Sequence, residues 1–246
     1  MDFVPDDVRK DIMEAKYLIK RDGISALPMI DYGSEGCVYE AGSSAAVKLY
    51  HSATKPYLNV YTYFPIVDSE ITLHERLIRR CKEGIKQEIN FAPVIDMQEL
   101  TINDERRLCI FMPWLRRDKL TKASAHFSFT SDLLKVGADG IAEMFRDNIK
   151  LNAIGIATGD KCVDNYIITD THINRIDVTD RIDPMVMSDQ NIEYENFAIA
   201  EMLATNIHDR DVLSVVIKAI SKVEHNARAA RFLRYYDFIL QGREKE

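Results

Sequence analysis

Three side chains suited to metal and proton chemistry, Asp160, Asn165 and Asp177, lie in one stretch, Ile154 to Asp180, of a 246-residue chain. Asp160 follows Thr158-Gly159 in a loop after a helix-like run. Asn165 opens Tyr166-Ile167-Ile168, a β-branched and aromatic run that reads as a strand. Asp170 to Asn174 is turn chemistry, and Arg175-Ile176-Asp177-Val178 reads as the returning strand. A hairpin of that kind brings Asn165 and Asp177 to the same end. An amide and a carboxylate there can hold Mg2+ against phosphates. A further carboxylate off the metal can orient an attacking hydroxyl and accept its proton. Asp and Asn also make ordinary turns in any protein, so the rest of the chain has to decide between the two readings.

The second informative stretch is Asp31 to Tyr50, DYGSEGCVYEAGSSAAVKLY. Gly33 and Gly36 frame a turn between apolar runs. Val38-Tyr39-Glu40 and Ala45 to Tyr50 read as strands joined at Gly42-Ser43-Ser44. Glycines let backbone N–H groups approach phosphates with no side chain in the way. Lys48 stands in the second strand, where the bland reading is an edge lysine facing water.

These stretches resemble the protein-kinase-like fold. That family carries Gly-x-Gly-x-x-Gly-x-Val, then Ala-x-Lys, then Asp, four residues and Asn, then Asp-Phe-Gly. Here Asp31 takes the first glycine place, Gly33, Gly36 and Val38 the others, and Ala46-Val47-Lys48 the lysine strand. Asp160, Asn165 and Asp177 keep the family spacing, while Thr158 replaces a His, Val178-Thr179 replaces Phe-Gly, and Cys162 stands where many kinases have a Lys. The resemblance covers about Ile30 to Asp180. It implies that Lys48 grips the α- and β-phosphates of ATP and pairs with a helical Glu. Glu70 and Glu75 compete for that place in a helix expected over Asp68 to Lys82. Glu70 is preferred, because Leu73 and Leu77 share its face, whereas Glu75 shares one with Arg79 and Lys82.

Cys109 to Leu115, CIFMPWL, resembles the last small-lobe strand running into the segment that joins the lobes. Adenine recognition there needs a backbone acceptor and, two residues later, a backbone donor. Pro113 has a carbonyl and no N–H; Leu115 has both. By the same resemblance Met112 stands at the back of the adenine pocket and Ile167 forms its floor. Asp160 is the catalytic carboxylate, and Asn165 with Asp177 holds Mg2+.

Around these motifs the expected elements are simple. Pro5 to Arg21 reads as an amphipathic helix on Val8, Ile12, Ala15 and Ile19, packed on the outside of the next domain. Phe91 to Met97 and Leu108 to Met112 read as strands, with Asn103 to Arg107 as their turn. Lys119 to Thr130 reads as loop, Ser131 to Asn152 as one or two helices, and Tyr194 to Ala204, Val212 to His225 and Ala227 to Gln241 as further helices. The expected fold is α+β and bilobal: a helical extension over 1–25, a β-rich lobe over 26–115 and a compact helical lobe over 116–246.

Composition is that of an ordinary soluble globular protein, and a net charge of −7 argues against a nucleic-acid backbone as main partner. The four scattered cysteines form no Cys-x-x-Cys pair, which argues against a zinc or disulfide framework and for a reducing compartment such as the cytoplasm. No apolar run has the length of a membrane span, and the N-terminus lacks the order of a cleavable signal peptide. The expected function is transfer of phosphate from ATP, with Mg2+, to a Ser or Thr of a host or partner protein. The compact C-terminal third, with no Ala-Pro-Glu and no long segment after Asp177, resembles the minimal effector kinases that bacterial pathogens inject into host cells. A host-cytosol destination, reached by a signal other than a cleavable one, stays open with it. A pseudokinase that only binds a partner, and a small-molecule kinase, remain as alternatives.

Overall fold

The computed structural model describes residues 4–33, 36–51, 70–115, 126–157, 165–169, 172–176, 178–180 and 210–223; at 70–74, 126–131, 157, 179 and 180 only the backbone is described. The chain is α+β and divides into two compact units. One comprises Met1–Glu88, Ala92–Arg116 and Val178–Asp180; the other comprises Ile89–Phe91, Arg117–Asp177 and Arg181–Glu246.

The first unit begins with helix α1, Asp6–Asp22, with Asp6 and Asp7 in its first turn and Lys20 and Arg21 in its last, each complementing the helix dipole. Gly23, at φ 82°, ends it by donating its N–H to Ile19. A short 3-10 turn, Ile24–Ala26, leads into strands β1 (Met29–Tyr32), β2 (Gly36–Ala41) and β3 (Ala45–Tyr50). Helix α2 is Glu70–Lys86, followed by β4 (Asp96–Ile102) and β5 (Glu105–Pro113). The strands form one antiparallel sheet in the order β1-β2-β3-β5-β4.

Strand alternation assigns the two faces of this sheet. Ala45, Val47, Leu49, Cys109 and Phe111 point to one face, where Val8, Ile12, Ala15 and Ile19 of α1 cover them. Burying the two isoleucines and the valine of α1 is worth about 1.5–3 kcal/mol per side chain in transfer free energy. The Lys16 ammonium meets the Asp96 carboxylate at 2.5 Å and lies over the Phe111 ring, tying α1 to β4 and β5.

Several boundaries differ from the sequence expectation. Phe91 to Met97 is not a strand: Pro93 cannot donate to a ladder, and β4 starts only at Asp96. The β4–β5 turn is two residues, Asn103 and Asp104, both at positive φ, so Ile102 and Glu105 already pair. Helix α2 runs on to Lys86, because Cys81 and Ile85 extend its apolar stripe; Asp68 lies outside the described residues.

In the second unit, helix α3, His126–Ala153, is two helices joined at Gly137, whose φ of 68° no helix interior adopts. Residues 126–130 are helical where a loop was expected, since no Gly or Pro stops the helix there. Short strand β6, Ile156–Ala157, is followed by β7 (Tyr166–Thr169), β8 (His172–Arg175) and the two-residue β9, Thr179–Asp180, which returns to the first unit. Helix α4, Arg210–Ser221, packs Val212, Val216 and Ala219 against Ile141, Met144 and Phe145 of α3 and Ile168 and Ile173 of the hairpin. The helices expected over 194–204 and 227–241 lie outside the described residues.

Candidate functional site

The sheet register brings four of the sequence-assigned nucleotide residues onto one face. Val38 pairs with Lys48, which pairs with Ile110; one row on, Glu40 pairs with Ala46, which pairs with Met112. Val38, Ala46, Lys48 and Met112 therefore share the face opposite the one α1 covers. The Lys48 ammonium lies over the Tyr50 ring, 4.7 Å from its centroid, on that same face. Lys48 is thus not an edge-strand lysine: β3 is flanked by β2 and β5.

The two glycines of the turn differ. A Cβ on Gly36 would stand 2.2 Å from the Leu49 carbonyl oxygen, so Gly36 is demanded by the close approach of β2 to β3 alone. Among the described residues, a Cβ on Gly33 would meet only the Gly36 carbonyl oxygen, at 3.7 Å, an ordinary contact. Among the described residues nothing demands glycine at that position on steric grounds. The Gly33 N–H donates to the Gly36 carbonyl, and the Gly33 carbonyl lies 3.2 Å from Nε2 of His51, whose ring packs on Tyr32.

At the end of β5, Pro113 pairs with Ala45 and the Trp114 N–H donates to the Ser44 carbonyl at 2.9 Å. The trans peptide then turns the Pro113 carbonyl to the side opposite the Trp114 N–H, with the Leu115 N–H one peptide further on. That is the acceptor-then-donor spacing expected for reading adenine. Ser44 is held from its other side, its N–H donating to Asp11 of α1 at 2.7 Å. The Ser44 hydroxyl also bonds the Asp7 carboxyl and holds it below the usual carboxylate range. Burial pushes the Cys109 thiol, on the α1 face, up to about 12.

In the second unit, β7 and β8 form a hairpin in which Tyr166 faces Arg175 and Thr169 faces His172. The returning strand is therefore 172–175, not 175–178. Burial of Ile173 and the cross-strand bond from Asn174 Nδ2 to Thr169 Oγ1, 2.9 Å, override the turn preference of Asn174. The Asn165 carbonyl accepts from the Ile176 N–H at 2.9 Å, so Asn165 stands opposite the residue that precedes Asp177. Ile167 is half-buried on β7. Asp160, Asp177, Thr158 and Cys162 lie outside the described residues, as does the Glu70 side chain at the first position of α2; Glu75 is exposed.

The hairpin rests on polar groups that the sequence reading missed. Arg175 is buried and stacks over Tyr166 at 4.9 Å, and the Tyr166 hydroxyl accepts from Asn148 of α3. The Asp147 carboxylate accepts from both the backbone and side-chain N–H of Asn90, and the Asn90 carbonyl accepts from the Arg175 N–H. The available signal was Asp147, Asn148 and Asn152 in the otherwise apolar end of α3. Asp11 carried no comparable signal.

No protein-family model and no curated protein matches the chain. Among solved structures it is similar to the PAN3 pseudokinase of Neurospora crassa, at 11% identity over 98% of this chain and 73% of that one, with a TM-score of 0.49. It is similar to WaaP, solved in complex with acyl carrier protein, at 13% identity over 94% of each chain, with a TM-score of 0.44. These are likenesses of shape alone.

Proposed function

We propose that this chain is an ATP- and Mg2+-dependent phosphotransferase whose acceptor is a Ser or Thr hydroxyl of a host or partner protein. One observation carries the reading: Val38, Ala46, Lys48 and Met112 share a sheet face beside a turn whose Gly33 is not crowded by any described residue. The backbone at Gly33 and Gly36 covers the phosphates, and Lys48, oriented by Glu70, neutralises them. Val38, Ala46, Met112 and Ile167 supply apolar contact for adenine, and Pro113 and Leu115 read its edge. Asn165 and Asp177 are the metal ligands, a hard-oxygen pair suited to Mg2+. Bound ATP supplies the transferable phosphoryl group. Asp160 orients the acceptor hydroxyl and takes its proton, so the protein's contribution is positioning and charge stabilisation.

The test is incubation with labelled ATP and Mg2+ in host or bacterial lysate, with Asp160→Ala alongside. Label on protein Ser or Thr that disappears in Asp160→Ala, with ATP affinity kept, supports the reading. Label on a metabolite makes the chain a small-molecule kinase. Nucleotide binding without turnover makes it a pseudokinase, the outcome that Thr158 and Cys162 favour. Absence of nucleotide binding ends the proposal.

A further inference from the structure

The strongest unassigned feature is the line of bonds from α1 to the segment after β5. Asp11 stands in the middle of α1, on a helix that no part of the proposed chemistry uses. Its carboxylate accepts the Ser44 N–H at 2.7 Å, in a half-buried setting. The Ser44 carbonyl, on the other side of the same residue, accepts the Trp114 N–H at 2.9 Å. The backbone at Gly42 is shaped around this carboxylate: it holds φ +70°, and a Cβ there would lie 2.4 to 2.6 Å from the Asp11 carboxylate atoms. A bond that merely capped the β2–β3 turn would end at Ser44. This one continues into the Pro113–Trp114 peptide group, next to Leu115.

We propose that Asp11 is a positioning residue, which acts through Ser44 to fix the orientation of the Pro113–Leu115 backbone and so makes α1 part of the base-reading apparatus. The inference deepens the nucleotide reading above and rests on it. Its chemistry is simple. A planar trans peptide pinned at the Trp114 N–H fixes the Pro113 carbonyl on the opposite side of that plane, and the Leu115 N–H follows one residue on, across the Trp114 dihedrals. Adenine offers an amino donor and a ring-nitrogen acceptor to that acceptor–donor pair. Guanine offers the reverse, a carbonyl acceptor and an N–H donor, and gains nothing from the same alignment. The anchor therefore favours ATP over GTP, and loss of the anchor lowers that preference without weakening GTP binding.

The chain's single tryptophan is Trp114 itself, so its emission reports both the segment and nucleotide binding. The parent protein is compared with Asp11→Ala, Asp11→Asn, whose side-chain oxygen still accepts from Ser44, and Gly42→Ala, which displaces the carboxylate without deleting it. Without nucleotide, amide exchange at Ser44 and Trp114 is expected to rise about tenfold or more in Asp11→Ala and to stay near the parent in Asp11→Asn. In titrations followed by Trp114 emission, the ATP dissociation constant is expected to rise about tenfold in Asp11→Ala while that for GTP moves by less than about twofold. Gly42→Ala is expected to follow Asp11→Ala, and it carries the test if that variant fails to fold. Unchanged exchange at Trp114, or equal loss of ATP and GTP affinity, overturns the inference. If the parent binds neither nucleotide, the nucleotide reading fails, and with it the base-reading role; the exchange measurements then still decide whether Asp11 holds Trp114.

Discussion

Alanine at the two turn glycines separates what the fold requires from what a ligand requires. At Gly36 the added Cβ stands 2.2 Å from the Leu49 oxygen, 3.0 Å from the Leu49 carbonyl carbon and 3.1 Å from the Tyr50 Cα. All three are backbone atoms, so no side chain can swing away. An unstrained carbon–oxygen contact is about 3.3 Å or longer, so β2 and β3 must part by about 1 Å at the Gly36–Tyr50 pair. The loss combines a weakened ladder bond, about 0.5–1.5 kcal/mol, with an overpacking cost of about 1–3 kcal/mol. We expect Gly36→Ala to lose about 2–4 kcal/mol, with no nucleotide needed to see it. At Gly33 the nearest atom among the described residues is 3.7 Å away and φ lies outside the left-handed region, so Gly33→Ala changes stability by between zero and a gain of about 1 kcal/mol. On the proposed function its effect should appear in the stabilisation conferred by ATP with Mg2+, where the methyl group would stand in the way of the phosphates. The assay is urea unfolding followed by Trp114 emission, then thermal shift with ATP and Mg2+. A Gly36→Ala protein as stable as the parent refutes the close-approach argument. A Gly33→Ala protein that binds ATP like the parent removes Gly33 from the phosphate site.

Three further outcomes test the metal ligand, the hairpin and the α1 face of the sheet. Asp177→Ala should abolish the Mg2+ dependence of thermal stabilisation by ATP; if that dependence persists, Asp164 or Asp180 is the better ligand. Arg175→Met removes a buried guanidinium from the Tyr166 ring and should cost about 2–4 kcal/mol in urea unfolding, with Arg175→Lys recovering little because an ammonium lacks the stacking plane. An Arg175→Met protein of parental stability would show that the stacked guanidinium contributes nothing. The Cys109 thiol is raised in the folded state to about 12, so the unfolded chain loses that proton first as pH climbs past about 9. Stability should therefore fall from about pH 9 towards 12, and Cys109→Ala should flatten this alkaline limb in urea midpoints measured across the range. An alkaline limb equally steep in Cys109→Ala would refute that assignment.

The first unit was legible where period and composition agree. Val8, Ile12, Ala15 and Ile19 mark the buried stripe of α1, and the strands around Lys48 follow from β-branched and small residues between glycine turns. The shared face of Val38, Ala46, Lys48 and Met112 needed the register, which spacing within a single strand does not contain. Boundaries failed where one residue outweighed its neighbours, as Pro93 did before β4, or where tertiary burial outweighed turn preference, as at Ile173 and Asn174. The Asp11–Ser44–Trp114 line was invisible for a different reason. Its members are far apart in the chain, and none is unusual in type at its position. Asp160 and Asp177, the residues on which the sequence argument leaned most, stand outside the described residues, so their roles rest on spacing and on the place of Asn165 beside Ile176.

The short run Ile89–Phe91 has a practical consequence for anyone dissecting this chain. It follows α2 and precedes β4, both in the first unit, yet it is packed into the second, with Asn90 held by Asp147 and both Ile89 and Phe91 buried. A fragment truncated after Arg116 would keep these three residues and lose the surface that covers them. Two large apolar side chains and an Asn stripped of its carboxylate would then face water in the middle of an otherwise intact piece. Such a fragment is expected to self-associate when expressed alone and to become tractable when Ile89 and Phe91 are made polar. Splitting the gene at the obvious seam gives two unequal products, one of them sticky by design of the chain path rather than by failure to fold.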